Sequence, residues 1–115
     1  MRLAVISDIH SNLDAFKAVL EDISKNFIDD IISLGDNIGY GPEPEEVLVN
    51  LKRYSISSVL GNHELALLDK EYLNTFNPFA RKALVINKKK VSDQAKKYIS
   101  ILPPFLVRYG CRFVH

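Results

Sequence analysis

The residues that could do chemistry fall in three short clusters. Asp8 and His10 stand two positions apart after the apolar run Leu3-Ala4-Val5-Ile6, Asp36 follows Gly35, and Asn62 and His63 follow Gly61. A carboxylate, an imidazole and a side-chain amide make a mixed oxygen and nitrogen donor set. Such a set suits borderline divalent metals such as Mn, Fe or Zn better than Mg or Ca alone. Taken singly, each has a plainer reading: an aspartate after a strand is a common helix cap, and a lone loop histidine is usually a surface residue. Their coincidence at three separate strand ends is what argues for a site. Gly35 and Gly61 strengthen it, because glycine permits close approach of two backbones.

The elements that must position these residues are legible from periodicity. Residues 3–7 read as a short, fully buried strand, since aliphatic and β-branched residues run without alternation. Leu13, Phe16, Leu20 and Ile23 recur at helical spacing, with Ser11 or Asn12 to cap the start. A second buried strand spans 31–34. The loop "GDNIGYGPEP" leads to a helix opened by Pro44, Glu45 and Glu46, with Val47, Leu48 and Leu51 on its apolar face. A third strand covers 56–60. This β-α-β-α-β alternation implies a parallel sheet with right-handed crossovers, whose ligands bind beyond the carboxyl ends of the strands. Two further helices are predicted, over 78–87 with Phe79, Ala83 and Ile86 apolar, and over 92–102 with Ala95, Tyr98 and Ile99 apolar. Pro103 and Pro104 end the second, and "FLVRYGCRFVH" reads as a hairpin turning near Tyr109-Gly110. Phe76, Phe79, Phe105 and the single cysteine, Cys111, are expected in the core.

With 115 residues the chain is expected to form one domain, 1–115. An apolar fraction of 47% with 25% charged residues is that of a globular protein with a real core. A formal net charge of +1 gives no field that argues for nucleic acid or a membrane surface. The five lysines within "NKKKVSDQAKK" read as a solvated helix end, without the aromatic interleaving of single-strand binders. One cysteine fits a reducing compartment, and the N-terminus lacks a signal-peptide pattern, so a cytoplasmic location is expected.

At Asp8-x-His10, Gly35-Asp36 and Gly61-Asn62-His63-Glu64, in that order, the chain resembles the calcineurin-like metallophosphoesterases. The segment "GDNIGYGPEPEEVL" is similar to their bacterial and archaeal branch, labelled phosphodiesterase or protein-phosphatase-like. The resemblance implies an αββα sandwich with two sheets, of which the second is incomplete within these residues. It also implies two divalent ions, Mn favoured over Fe, Zn, Ni or Mg, and a hydroxide-driven hydrolysis of phosphate mono- or diesters. Asp8 and His10 would hold the first ion, Asp36 would bridge, and Asn62 with His115 would hold the second. His63 would serve catalysis by stabilising the phosphoryl charge or protonating the leaving oxygen, and Asn12 would contact phosphate.

The chain departs from the family pattern in three ways. A later Gly-His-x-His segment, which supplies each ion with a histidine, is not among these residues, and His10, His63 and His115 are the only histidines. The acid that orients the catalytic histidine is replaced by Gly39, and an arginine beside it by Tyr40. A front portion of this fold should also leave apolar surface uncovered, so self-association or low stability is expected, with a second copy covering the exposed sheet. The expected partners are a phosphorylated substrate, with nucleic acid entering only as a substrate and no membrane. The rival reading is a non-catalytic metal- or phosphate-binding regulatory module. A nucleic-acid-binding domain rests on the lysines alone.

Overall fold

A computed structural model describes residues 1–115. Its first half is the expected α/β alternation: β1 (Leu3–Ile6), α1 (Leu13–Ser24), β2 (Asp30–Ser33), α2 (Pro44–Arg53) and β3 (Ser57–Ser58). The three strands pair in parallel in the order β1-β2-β3, with Val5 opposite Ile32 and Ser33 opposite Ser58. Four further helices follow, α3 (Asn62–Leu68), α4 (Lys70–Leu73), α5 (Pro78–Lys90) and α6 (Asp93–Ser100). An antiparallel hairpin of β4 (Phe105–Arg108) and β5 (Cys111–Val114) completes the chain. No helix is long and apolar enough to cross a membrane.

The core is built where the helix faces meet. Phe16 and Leu20 of α1, Val47, Leu48 and Leu51 of α2, Leu67 of α3, Leu84 of α5 and Ile99 of α6 are buried in one cluster. Removing each such side chain from water contributes roughly 1.5–3 kcal/mol. Local signals start the helices as expected. Asn12 accepts from the Ala15 N–H at the start of α1, Asn77 from Ala80 before α5, and Ser92 from Ala95 before α6. Each cap satisfies one amide that the first helical turn leaves without a partner.

The hairpin lies alongside β2 and is tied to it at both ends. At the start of β2, the Arg108 guanidinium and the Tyr109 hydroxyl both donate to Asp30 Oδ2, at 3.1 and 2.9 Å. Beyond its end, the His115 ring bonds the Leu34 carbonyl at 2.8 Å. At that same end the Leu60 N–H, just after β3, donates to Pro103 O at 2.8 Å.

Several expectations are corrected. The first strand is not fully buried: β1 lies at the border of the sheet and Val5 is half exposed, whereas Ile32 in the central strand is wholly buried. The buried stripe of α5 is Ala80, Leu84 and Asn87, one residue, or about 100°, away from the predicted Phe79, Ala83 and Ile86. Phe79 is consequently 84% exposed. Phe105 and Cys111 belong to a two-stranded hairpin with an open face, and both are exposed, although Arg112 lays its guanidinium over the Phe105 ring. Phe76 is half-buried against the core. Residues 62–73, given no element from the sequence, form α3 and α4, the latter capped by Asp69.

Candidate metal centre

Parallel pairing continues past the strand ends and zips the site loops together. Asp8 N–H donates to Gly35 O, His10 N–H to Asp36 O and Ser11 N–H to Asn37 O, all within 3.0 Å. Five residues here, Asp8, His10, Ser11, Asp36 and Tyr40, have φ between 48° and 56°. Left-handed backbone at a non-glycine residue costs roughly 1–2 kcal/mol, so these loops hold their side chains in place against a local preference. Gly35 and Gly61 lie back to back. A Cβ on Gly35, whose φ is +94°, would stand 2.6 Å from Gly61 N, and one on Gly61 would collide with Asp36.

The side chains then converge on one carboxylate. Asp36 is almost wholly buried, and three imidazole nitrogens surround its Oδ2: His115 Nε2 at 3.4 Å, His10 Nε2 at 3.8 Å and His63 Nε2 at 3.9 Å. Asp8 Oδ1 is 3.3 Å from His10 Nε2, and Asn62 Oδ1 is 2.8 Å from His115 Nε2. Asp8, His10, Asp36, Asn62, His63 and His115 are therefore gathered in one place. The ligand atoms of His10, Asp36 and His63 lie within 4.8 Å of one another, which sets His63 among the metal-capable groups as well.

Two backbone carbonyls orient this set. His10 Nδ1 faces Ile38 O at 2.9 Å and His115 Nδ1 faces Leu34 O. A carbonyl can only accept, so Nδ1 carries a proton in both rings, and Nε2 is the nitrogen each ring turns toward Asp36. An imidazole anchored through Nδ1 can offer Nε2 as a ligand to a cation beside a carboxylate and an amide oxygen. This pattern of a backbone-anchored imidazole is how metal-ligating histidines are fixed. The donor chemistry thus fits a divalent ion.

His63 differs. It is almost wholly buried, its N–H at the start of α3 donates to Asp36 Oδ1 at 2.9 Å, and its ring packs edge-on to Phe76. Its Nδ1 has no hydrogen-bond partner. Gly39 is the reason, for a Cβ there would collide with that nitrogen, leaving no room for an orienting acid. Burial pushes the His63 imidazole below its ordinary value, an effect that Asp36 partly offsets and His10 reinforces.

Asn12 lies at the edge of the cluster. Its amide oxygen is occupied by the Ala15 N–H at 3.1 Å, and it lines a cleft beside Asp8.

Sequence reasoning missed two buried polar residues that hold the loops. Glu64 is wholly buried, and its carboxylate accepts from Asp36 N at 2.9 Å, Asn37 N at 2.7 Å and Asn37 Nδ2 at 2.8 Å. Burial raises its pKa, and the amide donors of the 36–37 turn pull the other way. It braces Asp36 and does not reach the His63 ring. Asn87 of α5 accepts from Ser11 Oγ and from Gly39 N, both at 2.8 Å, and donates to Gly41 O at 3.0 Å. One amide thereby joins the His10 loop to the Tyr40 loop. Its signal is an asparagine falling in phase with Ala80, Leu84 and Val91, a polar residue within a buried stripe.

Comparison with known proteins agrees with this geometry. The calcineurin-like phosphoesterase family model matches residues 1–111. An uncharacterized Methanocaldococcus jannaschii protein, MJ0912, is 43% identical over 101 residues, 88% of this chain and 42% of that protein. The symmetrical bis(5'-nucleosyl)-tetraphosphatase of Wigglesworthia glossinidia brevipalpis is 47% identical over 68 residues, 56% of this chain and 25% of the enzyme. A metallophosphoesterase from Sphaerobacter thermophilus superposes with a TM-score of 0.76 at 38% identity, covering 94% of this chain and 44% of that one. The chain thus spans less than half the length of these relatives. Its motifs, its sheet and the match along nearly all of its length make it a member of the calcineurin-like phosphoesterase family.

Proposed function

We propose that this site hydrolyses phosphate mono- or diesters with two divalent ions. The observation that carries the reading is the convergence of three imidazoles on Asp36 Oδ2, with Asp8 and Asn62 at the flanks. Asp8, His10 and Asp36 would hold one ion, and Asp36, Asn62 and His115 the other, with Mn²⁺ favoured by the mixed donor set. Ions held there supply Lewis-acid charge and an activated water for in-line attack on phosphorus. The chain's own residues do the rest. His10 and His115 are oriented by their carbonyl partners, with Nε2 toward the cluster. His63 is placed to stabilise the phosphoryl group. A buried N–H without a partner is rarer and costlier than a buried lone pair, so its proton belongs on Nε2, facing the cluster. From there it donates to a phosphate oxygen, where charge develops in the transition state.

The family supports phosphoric ester hydrolysis, and the relative named as a tetraphosphatase supports a phosphorylated substrate. The second reading, a metal- or phosphate-binding module without turnover, draws on the unpartnered Nδ1 of His63. Hydrolysis of p-nitrophenyl phosphate and bis(p-nitrophenyl) phosphate with added Mn²⁺ separates the two. Turnover that is lost in Asp36→Asn and reduced at least about 100-fold in His63→Ala supports the enzyme. Mn²⁺ or phosphate binding with equal background rates in all three proteins supports the module.

A further inference from the structure

Two openings flank the cluster. One runs beside β1 past Ser7, Asp8 and Asn12, and its remaining walls are aliphatic or Phe16. The other, about 350 Å³, begins at Tyr40 and runs past Pro42, Phe79, Lys82, Ile86 and Lys90. Its composition is unusual for solvent-facing surface. Phe79 is 84% exposed, Tyr40 51% and Ile86 45%. Tyr40 holds φ at +54°, a conformation that favours glycine or asparagine, yet a large aromatic ring is placed there. That ring is continuous with the site: its centroid is 5.0 Å from both the His10 and the His63 rings. On the rim Lys90 Nζ donates to Pro42 O at 2.9 Å, which fixes one cation over the groove, and Lys82 adds a second.

We infer that this groove is the subsite for the esterifying group of the substrate, and that it takes a flat aromatic ring. The inference rests on the phosphoesterase reading above. A phosphate centred on the Asp36 cluster would have both clefts beside it. The cleft past Asp8 offers a carboxylate, which repels an anion. The Tyr40 groove offers two aromatic faces and two ammonium groups, which attract an anionic arene by stacking and by charge. Tyr40 and Phe79 are then specificity-determining residues, selecting phosphoesters of aryl or nucleobase-bearing alcohols over those of small alkyl alcohols.

Phenylphosphonate and methylphosphonate, which resist hydrolysis, test this by calorimetric titration in Mn²⁺ buffer. Methylphosphonate reports the cluster alone, and the ratio of the two affinities reports the groove. The expected ratio is roughly five-fold or more in favour of the phenyl compound, falling to near one in Phe79→Ala and in Tyr40→Ala. Phe79 is exposed, so its truncation leaves the fold intact, as a circular-dichroism melt would verify. Equal affinities in the parent protein, or a ratio that survives both substitutions, overturn the groove while leaving the cluster standing. A Phe79→Ala variant that changes only the sedimentation coefficient makes the patch a contact between copies and overturns the subsite. Failure of both phosphonates to bind removes the phosphoesterase reading and this inference together.

Discussion

Replacing Asn87 by alanine probes how the site is held. The side chain is 1% exposed and makes three hydrogen bonds, to Ser11 Oγ, Gly39 N and Gly41 O. Each is worth about 1 kcal/mol net, and an amide left buried without a partner costs about 1–3 kcal/mol more. Gly39 N–H would be so stranded, while the Ser11 hydroxyl can turn and Gly41 O lies nearer solvent. The expected loss is about 4 kcal/mol, a large share of the roughly 5–15 kcal/mol that holds a typical domain together. Asn87→Asp keeps the two acceptor bonds but buries a carboxylate whose second oxygen faces Gly41 O, so it should also destabilise. Urea denaturation followed by circular dichroism gives the stability change. Titration with Mn²⁺, read as the shift in urea midpoint per metal concentration, gives the effect on the site. Because Asn87 joins the His10 loop to the Tyr40 loop, the alanine variant should lose metal-induced stabilisation as well as basal stability. A loss under about 1 kcal/mol, or a full metal response in the alanine variant, would refute the bracing role.

Further expectations are more local. Gly39→Ala meets both a φ of +90° and the His63 ring, so it should cost at least about 1–2 kcal/mol and displace the imidazole, seen as a moved His63 resonance in heteronuclear NMR. Asn12→Ala removes the α1 cap and should cost about 1 kcal/mol, measured by thermal melting, with Asn12→Ser recovering most of it. At Asp30 burial works to raise the carboxyl pKa, but bonds from Tyr109, the Ile31 amide and Arg108 win and hold it below its ordinary 3.8. The stability it contributes is present above that ordinary value and is lost as pH falls from there through the lower folded value. The urea midpoint should therefore drop below about pH 3.8 in the parent protein and drop less in Asp30→Asn.

The parallel sheet was readable because its signal is local and repeated: an apolar run followed by a coordinating residue three times over, with a glycine between the two in the second and third. Parallel strands bring like ends to one edge, so Asp8, Asp36 and Asn62 had to be neighbours once the alternation was seen. Helix faces were harder. In α5 the largest apolar residue, Phe79, draws the expected face toward itself, while the helix turns inward on Ala80 and Leu84 and buries the amide of Asn87. Periodicity weighs side chains by hydrophobicity and is blind to a polar residue that finds three partners in distant loops. The helices over residues 62–73 were overlooked for a related reason. "NHELALL" opens on two residues with ligand chemistry, yet its apolar residues also serve a helix. Glu64 passed as a motif neighbour, although a carboxylate sealed from water must serve several donors at once.

The contributing residues range from position 8 to position 115, and the hairpin that carries His115 is tethered to β2 through Asp30 and Leu34. On the proposed ligand set, cation occupancy would be a long-distance clasp: an ion seated on Asp36 would be gripped by residues far apart along the sequence. With His115 as a ligand, peeling the hairpin away would weaken metal binding, and bound metal would disfavour the peeled state by the same free energy. A fluorophore on exposed Cys111 would see the two events as one.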